Sequence, residues 1–432
     1  MALHTPARQR VSLASFSKLM AVGPVLLAAG LLTGCNSDDD GGPPPVFTPG
    51  DTLSSVSTEG GDDNIVALPS SIDSRITAVF DRYTEFEAPN GGRIHFLSQD
   101  AVSDDLLIRV RGLVRQHLLD EPGSALGADK TAALNVAANN EATFVLFENA
   151  AAYDAADADV MAFQDLFGDR LGELDASTVV QEGSPSYTQA SPTYDPSIRA
   201  TLLFALEQGI APGIPAFQTN LETAAANAVT NNIYDPGTTP ADEVDEEYLV
   251  VVLDTYYGLY GHDPNGNGTG GLNGEYMAFD RATVESADPD GFALIESFFR
   301  PTHRYSAFLD PAFNGTFLST FDVAVPYTHR SQYLERIGIR IPSTATVNGN
   351  ELDNILLGND LDTVFEGGPG DDLIEAEFGN DMAVYSGNVE EYVLTDIGSN
   401  ATEVMDTVPD RDGTDVVRGI TQLVFADRTV NL

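Results

Sequence analysis

The chain has 432 residues, which is enough for about two to three domains with apolar cores. Of these residues 42% are hydrophobic, a share that excludes general disorder. Asp and Glu number 66 against 21 Lys and Arg, so the formal net charge is −45 and the surface should repel nucleic acid. Such an acidic chain either supplies oxygen ligands to hard cations such as Ca²⁺ or uses its carboxylates only for solvation.

The N-terminus has the pattern of an export signal. Its first 18 residues contain three basic and no acidic side chains, and an apolar stretch from Leu19 to Leu32 follows, too short to span a bilayer. The string Leu32-Thr33-Gly34-Cys35, which holds the only cysteine of the chain, resembles the lipobox of bacterial lipoproteins. The resemblance implies a signal peptide over residues 1–34 and a lipid on Cys35 that attaches the protein to a membrane. The alternative is an ordinary export signal with an incidental cysteine.

The segment after the cysteine predicts a tether. Residues 35–64 are rich in Asp, Gly, Pro and Ser, so they are expected to remain flexible and to hold the folded part away from the membrane. Asn36 follows the cysteine, whereas Asp at that place commonly retains Gram-negative lipoproteins at the inner membrane. The resemblance therefore implies a cell-envelope protein on the outer membrane.

Hydrophobic periodicity predicts a mainly helical α+β domain over residues 65–345. Helices are predicted over residues 71–86, 103–117, 197–208, 219–229, 243–257 and 292–299. Short strands are predicted over residues 93–97 and 143–147. Ser103 is predicted to cap its helix and Gly209 to end the helix over 197–208.

The middle of the chain has some features of a zinc site. Its layout resembles that of gluzincin-type zinc peptidases, in which one helix supplies two histidines and a later helix a glutamate. No H-E-x-x-H pattern is present, and where the resemblance requires histidines the chain has Leu202, Leu203 and Leu206. We therefore expect no zinc-dependent hydrolysis. If the resemblance reflects common ancestry, Glu246 or Glu247 would be the remaining ligand position. The alternative is a helical domain with a solvated acidic helix N-terminus.

A second candidate calcium loop precedes the C-terminal region. Residues 263–268 read DPNGNG and fit the first half of an EF-hand-like loop, with Asp263, Asn265 and Asn267 as oxygen ligands. Its twelfth position is Gly274 instead of Glu, so the alternative is a plain surface turn.

From Gly349 a nine-residue period appears, in the segments GNELDNILL, GNDLDTVFE, GGPGDDLIE and AEFGNDMAV. This resembles the RTX, or haemolysin-type, nonapeptide repeat G-G-x-G-x-D-x-U-x, where U is a bulky apolar residue. The resemblance implies a small C-terminal parallel β-roll over residues 349–384, closed by a β-rich cap over residues 385–432. The residues expected to face inward are Leu356, Phe365, Ile374 and Ala383.

The repeat also explains why calcium is expected. Glycines let the turn carbonyls face one point, and the sixth position adds a carboxylate. Two units form one coil, which pairs Asn354 with Asp372 and Thr363 with Asp381. The predicted ligands are Gly349, Asn354, Gly358, Asp360, Asp362, Thr363, Gly367, Gly368, Gly370, Asp371, Asp372 and Asp381. Without calcium, the clustered carboxylates of Asp360, Asp362, Asp371 and Asp372 should repel and leave the array disordered. The alternative is a coil without metal, stabilised by the inward row alone.

The sequence therefore predicts a lipid-anchored cell-envelope protein that binds Ca²⁺ through C-terminal repeats. It leaves the role of the central domain and any protein or glycan partner open. One rival is a surface hydrolase whose repeats act as a calcium-triggered folding module. Another is a structural or adhesive protein that uses calcium to bridge acidic surfaces.

Overall fold

A five-stranded mixed sheet opens the fold. The computed structural model describes residues 50–155, 166–184, 195–258, 275–278, 280–319, 334–340, 345–376 and 378–432. The strands lie in chain order in the sheet: β1 (Val66–Ala67), β2 (Arg82–Glu87), β3 (Arg93–Ser98), β4 (Thr143–Phe147) and β5 (Leu171–Asp175). The pairs β1–β2 and β2–β3 are antiparallel, whereas β3–β4 and β4–β5 are parallel. The strands predicted over residues 93–97 and 143–147 are confirmed.

This sheet is covered on both faces. Successive residues of a strand point to opposite sides, so the fully buried strand β4 needs apolar side chains throughout. Phe144 and Leu146 join a large core formed with the helices. Val145 and Phe147 join a smaller core on the other face.

The smaller core is closed by residues that the sequence analysis places in a tether or a helix. Leu53 and Val56 are buried in it, so the predicted tether does not extend through the described residues 50–64. The helix predicted over residues 71–86 is wrong, because only the single turn α1 (Ser74–Thr77) forms before β2 begins at Arg82. The apolar residues at helical spacing are buried, but hydrogen bonding to β3 overrides their period.

Helices pack against both cores. They are α2 (Asp104–His117), α3 (Thr131–Asn139), α4 (Ala150–Ala155), α5 (Pro196–Ala205), α6 (Pro215–Thr230), α7 (Val244–Tyr256), α8 (Arg281–Ala287) and α9 (Pro289–Glu296). Tyr153 of α4 packs against the smaller core, whereas the other helices in this series contribute to the large core. Ser103 caps α2 as predicted, with its hydroxyl oxygen accepting from the Leu106 amide at 3.3 Å. No described helix is both long and apolar enough to cross a membrane.

Gly209 does not end its helix. A π-helical turn, Leu206–Ile210, follows α5 directly, and helical structure continues to Gly213. A β-carbon on Gly209 would lie 3.0 Å from the carbonyl oxygen of Ala133 in α3. The glycine therefore serves close packing of two helices rather than termination.

The second half of the described chain forms two sheets, and its first eight strands alternate between them. The strands are β6 (Ala307–Leu309), β7 (Thr316–Leu318), β8 (Arg336–Ile339), β9 (Thr346–Asn348), β10 (Ile355–Leu357), β11 (Val364–Glu366), β12 (Leu373–Glu375), β13 (Met382–Val384), β14 (Tyr392–Gly398), β15 (Ala401–Asp406), β16 (Thr414–Arg418), β17 (Gln422–Val424) and β18 (Thr429–Asn431). One sheet has the order β14-β15-β16-β12-β10-β8-β6 and the other β18-β17-β13-β11-β9-β7. All pairs among β6 to β13, and their pairs with β16 and β17, are parallel. We call these parallel strands the parallel stacks.

The parallel stacks begin well before the first repeat. Strands β6 and β8 belong to the central region by sequence, yet β8 pairs with β10 of the first repeat. The predicted inward residues Leu356, Phe365, Ile374 and Ala383 are all buried, as expected. They belong to the same hydrophobic core as Phe144 of the central sheet. The boundary predicted near residues 345–349 therefore falls inside a continuous core.

A charged cluster lies inside the central region. The guanidinium group of Arg109 in α2 donates to both carboxylate oxygens of Glu182, to Asp195 at 2.8 Å and to the Ser197 hydroxyl at 2.6 Å. Tyr305 donates to Glu182 at 2.9 Å, and all five side chains are buried. Every charge in the cluster has a partner at hydrogen-bond distance, which allows these charges to be buried. The cluster joins α2, α5 and the start of the parallel stacks.

Candidate metal site

The turns before β12 and β13 bring together the residue pairs expected from the repeat. The amide of Asn354 donates to Oδ1 of Asp372 at 2.8 Å. One strand further, the amide of Thr363 donates to Oδ1 of Asp381, also at 2.8 Å. All four side chains are buried. The pairing that the sequence predicts across 18 residues is therefore present in both sheets.

Each of the two aspartates has one oxygen without a partner. Oδ2 of Asp372 and Oδ2 of Asp381 are inaccessible to solvent and accept no hydrogen bond from any residue in the described ranges. Asp372 is 2% exposed and Asp381 fully buried. A buried polar atom that lacks a partner is costly, on the order of 1–3 kcal/mol. Such an atom indicates a missing proton or cation more readily than a finished structural contact.

The electrostatic surroundings point the same way. Burial, together with the neighbouring carboxylate of Asp415, raises the pKa of Asp372 to about 8. Burial likewise raises the pKa of Asp381, with Asp362 acting in the same direction. The charged form of both carboxylates is thus disfavoured unless a positive charge lies beside them.

Glycines make the approach of these oxygens possible. A β-carbon on Gly349 would collide with both Asn354 Oδ1 and the carbonyl oxygen of Gly367. A β-carbon on Gly367 would collide with Asp372 Oδ2. The turn therefore gathers an amide oxygen, a main-chain carbonyl and a carboxylate within a small space. These are donors of the kind that Ca²⁺ accepts, so the residues present fit this ion.

Three of the predicted carboxylate ligands lie at the surface. Asp360, Asp362 and Asp371 are exposed. Asp362 accepts from the Asn380 amide at 2.8 Å, and the Asp371 amide donates to Asp353 at 3.0 Å, so these residues form an outer row. The expectation that these three residues crowd together with Asp372 in a small core is wrong. Only Asp372, at the sixth position of its unit, is buried, whereas the other three side chains face solvent.

The other predicted site residues divide into two groups. Gly368 and Gly370 have φ angles of +95° and +131°, which L side chains rarely adopt, as the glycine positions of the repeat require. Gly358 packs against Phe365, an apolar neighbour. The remaining predicted residues lie outside the described ranges; they are Cys35, Asp263, Asn265 and Asn267.

The helices proposed to resemble a zinc peptidase are occupied by other contacts. Leu202 and Leu206 are buried in the large core. Arg199 of the same helix forms an ion pair with Glu247 of α7, and Glu246 is buried. Within the described ranges, no group of three or more His, Cys, Asp or Glu side chains is placed to hold a metal ion. The turns before β12 and β13 offer amide and main-chain oxygens in addition to carboxylates.

The ligand prediction omitted Asp415. The amide of Asp372 donates to Oδ1 of Asp415 at 2.9 Å, and Asp415 is 1% exposed. A signal was present, because residues 413–418 read GTDVVR and fit the last six positions of the repeat. It was missed because it lies 43 residues after Asp372 rather than 18.

The chain matches none of the protein-family models and none of the curated proteins with which it was compared.

Proposed function

We propose that this is a calcium-binding protein of the bacterial cell envelope, which binds Ca²⁺ at the turns of an RTX-like β-roll formed by the parallel stacks. The central domain is the folded body on which the roll is built. The observation that carries the proposal is the pair of buried carboxylate oxygens, Asp372 Oδ2 and Asp381 Oδ2, that have no hydrogen-bond partner in the part of the chain that the structure describes.

Calcium suits these turns for a chemical reason. It takes six to eight oxygen ligands in flexible geometry, so amide and main-chain oxygens can complete the shell around one carboxylate. Magnesium demands a near-octahedral shell and keeps several waters, which a tight buried turn does not accommodate. Across the coil from Asp372, Asn354 donates its main-chain amide and also brings a side-chain amide oxygen, which accepts from the Asn350 amide at 2.7 Å. Across the coil from Asp381, Thr363 likewise donates its main-chain amide, but its hydroxyl donates to the carbonyl oxygen of Leu361. The Asp372 turn is the stronger of the two.

The anchoring part of the proposal rests on the sequence. Cys35 is the only cysteine and closes a lipobox-like string after an apolar stretch. We propose that its lipid holds the protein on the outer membrane, where the acidic body is exposed to calcium outside the cytoplasm.

The test is a calcium titration of the mature chain by calorimetry, up to about 10 mM, with magnesium as the competing ion. Asp372→Asn should weaken calcium binding more than Asp381→Asn. Glu351→Gln removes one exposed carboxylate from the same coil and serves as the control. Heat of binding that excess magnesium does not abolish is the expected result.

Two outcomes count against the proposal. The first is a wild-type protein that shows neither heat of binding nor a calcium-dependent change in protease resistance. The second is calcium binding that survives unchanged when Asp372 and Asp381 are both replaced by Asn.

The hydrolase alternative has a separate test. Leu202 and Leu206 stand where metal-binding histidines would be needed, and both are buried. We therefore propose no hydrolytic role for α5 and α7. Proteolytic activity that a chelator removes and zinc restores would reverse this assignment.

A further inference from the structure

The chain returns to the parallel stacks after an interruption. Strands β12 and β13 are followed by residues 385–413, which include the antiparallel hairpin β14–β15. Strand β16 then pairs in parallel with β12, with Leu373 opposite Val416 and Ile374 opposite Val417. Residues 413–418, which we call the closing segment, thus occupy the place that the next repeat would take.

The contacts between Asp372 and the closing segment repeat those of the preceding coil. The amide of Asp372 donates to Asp415 Oδ1 at 2.9 Å, as the amide of Asn354 donates to Asp372 Oδ1 at 2.8 Å. The outer row continues likewise, because the Thr414 amide donates to Asp371 Oδ1 at 2.8 Å. The turn geometry that gathers oxygens at Asn354 is therefore present again at Asp415.

The glycine of the closing segment behaves as a repeat glycine. Gly413 has a φ angle of +67°, and a β-carbon on it would collide with the carbonyl oxygen of Gly370. The Gly370 carbonyl thus lies close to Gly413, and the buried carboxylate of Asp415 accepts from the Asp372 amide. Oδ2 of Asp372, which has no hydrogen-bond partner among the described residues, belongs to the same turn.

We infer that Asp415 is a further calcium ligand, and that an ion held between the turns of Asp372 and Asp415 fastens the closing segment to the coils. This inference rests on the proposed function. The turn has two buried carboxylates where the Asn354 turn has one, so it offers Ca²⁺ more charge.

The ion would also order the inserted hairpin. Strand β15 is hydrogen-bonded along β16, with Ala401 opposite Arg418 and Met405 opposite Thr414. Strand β14 in turn pairs only with β15 among the described strands. Holding β16 in place therefore holds the hairpin, although the hairpin contains no repeat.

The test compares the mature wild-type chain with Asp415→Asn. The asparagine is nearly isosteric and can still accept the hydrogen bond from the Asp372 amide. Asp410→Asn changes an exposed aspartate five residues earlier and is the matched control. Calorimetry gives the number and affinity of calcium ions, and hydrogen exchange reports on β11 to β13 and on β15 and β16 separately.

We expect Asp415→Asn to bind one ion fewer, or to bind it at least about tenfold more weakly, with Asp410→Asn unchanged. Calcium-dependent protection of β15 and β16 should be lost, while that of β11 and β13 beside Asp381 remains. Asp372→Asn should lose both the ion and this protection, which gives a second variant if Asp415→Asn folds poorly.

The outcomes separate the two claims. A wild-type chain that binds no calcium overturns the proposed function and this inference together. Calcium binding that is weakened by Asp372→Asn but unaltered in number, affinity and protection by Asp415→Asn overturns the inference alone.

Discussion

Replacing Asp372 by Asn should change stability in opposite directions with and without calcium. In the calcium-free protein the carboxyl group is buried beside Asp415, and its pKa is raised from 3.8 to about 8. The unfolded chain releases this proton near pH 4, whereas the folded chain keeps it to about pH 8. The folded state therefore binds more protons between these values, so that calcium-free stability falls as the pH rises through this window.

The size of the effect follows from the same shift. One pKa unit corresponds to about 1.4 kcal/mol. The rise in the pKa of Asp372 from 3.8 to about 8 therefore sets an upper bound on the destabilisation. Because Asp372 and Asp415 share their repulsion, we expect a destabilisation on the order of 3 kcal/mol near pH 7.5. Asp372→Asn removes this cost but keeps the acceptor for the Asn354 amide, so the calcium-free variant should be more stable than the wild type by an amount of this order.

On the proposed function, calcium should reverse the comparison. Binding would stabilise the wild type by mass action, by about 2.7 kcal/mol when free calcium is 100 times its dissociation constant. The variant should lose most of this gain. Urea denaturation in chelator and in calcium, at about pH 6 and 8, measures both effects, with Glu351→Gln as a charge-matched control. A variant that is less stable than the wild type in chelator, or that keeps the full calcium response, would refute this reasoning.

Three further predictions concern other parts of the chain. Cys35→Ser should release the protein from membranes or leave its signal uncut; unchanged fractionation and processing would contradict the anchor. Arg109→Leu leaves the carboxylate of Glu182 buried without its cation and should cost about 3–5 kcal/mol in urea denaturation, whereas a loss below about 1 kcal/mol would contradict the role given to the cluster. Burial lowers the pKa of Lys130 to about 7, below its unfolded value of 10.5, so the unfolded chain binds the extra proton and wild-type stability should rise between pH 7 and 10.5. Lys130→Met should flatten that rise and stabilise the protein at about pH 6 on the order of 2 kcal/mol; an unchanged slope would show that Lys130 is not the group responsible.

Local sequence signals predicted local structure well. Helix α2 follows from an apolar stripe and the cap Ser103, since both act within one or two turns of the chain. The repeat pairs Asn354 with Asp372 because glycine and aspartate recur at a fixed spacing, and equal coils bring equal positions together. The inward row follows from the same period.

Predictions failed where a partner distant in sequence decides the structure. The helical spacing over residues 71–86 is real, but its side chains are buried against residues of β3 and β4, which lie further along the chain. Gly209 is a residue type typical of helix ends, yet here a glycine is needed because α3 packs closely against this position. Leu53 lies in a segment with the composition of a tether and is buried because it packs into the smaller core on one face of the central sheet.

The sequence by itself determined the repeat, its buried aspartates and the lipobox-like string, because each of these is a pattern of adjacent residues. Only the tertiary structure decided where the coils start and end. Strands β6 and β8 carry no repeat and join the stack through main-chain hydrogen bonds, which place few demands on side-chain identity. Asp415 reaches Asp372 across an insertion whose length no period encodes, since its position is set by the pairing of β16 with β12.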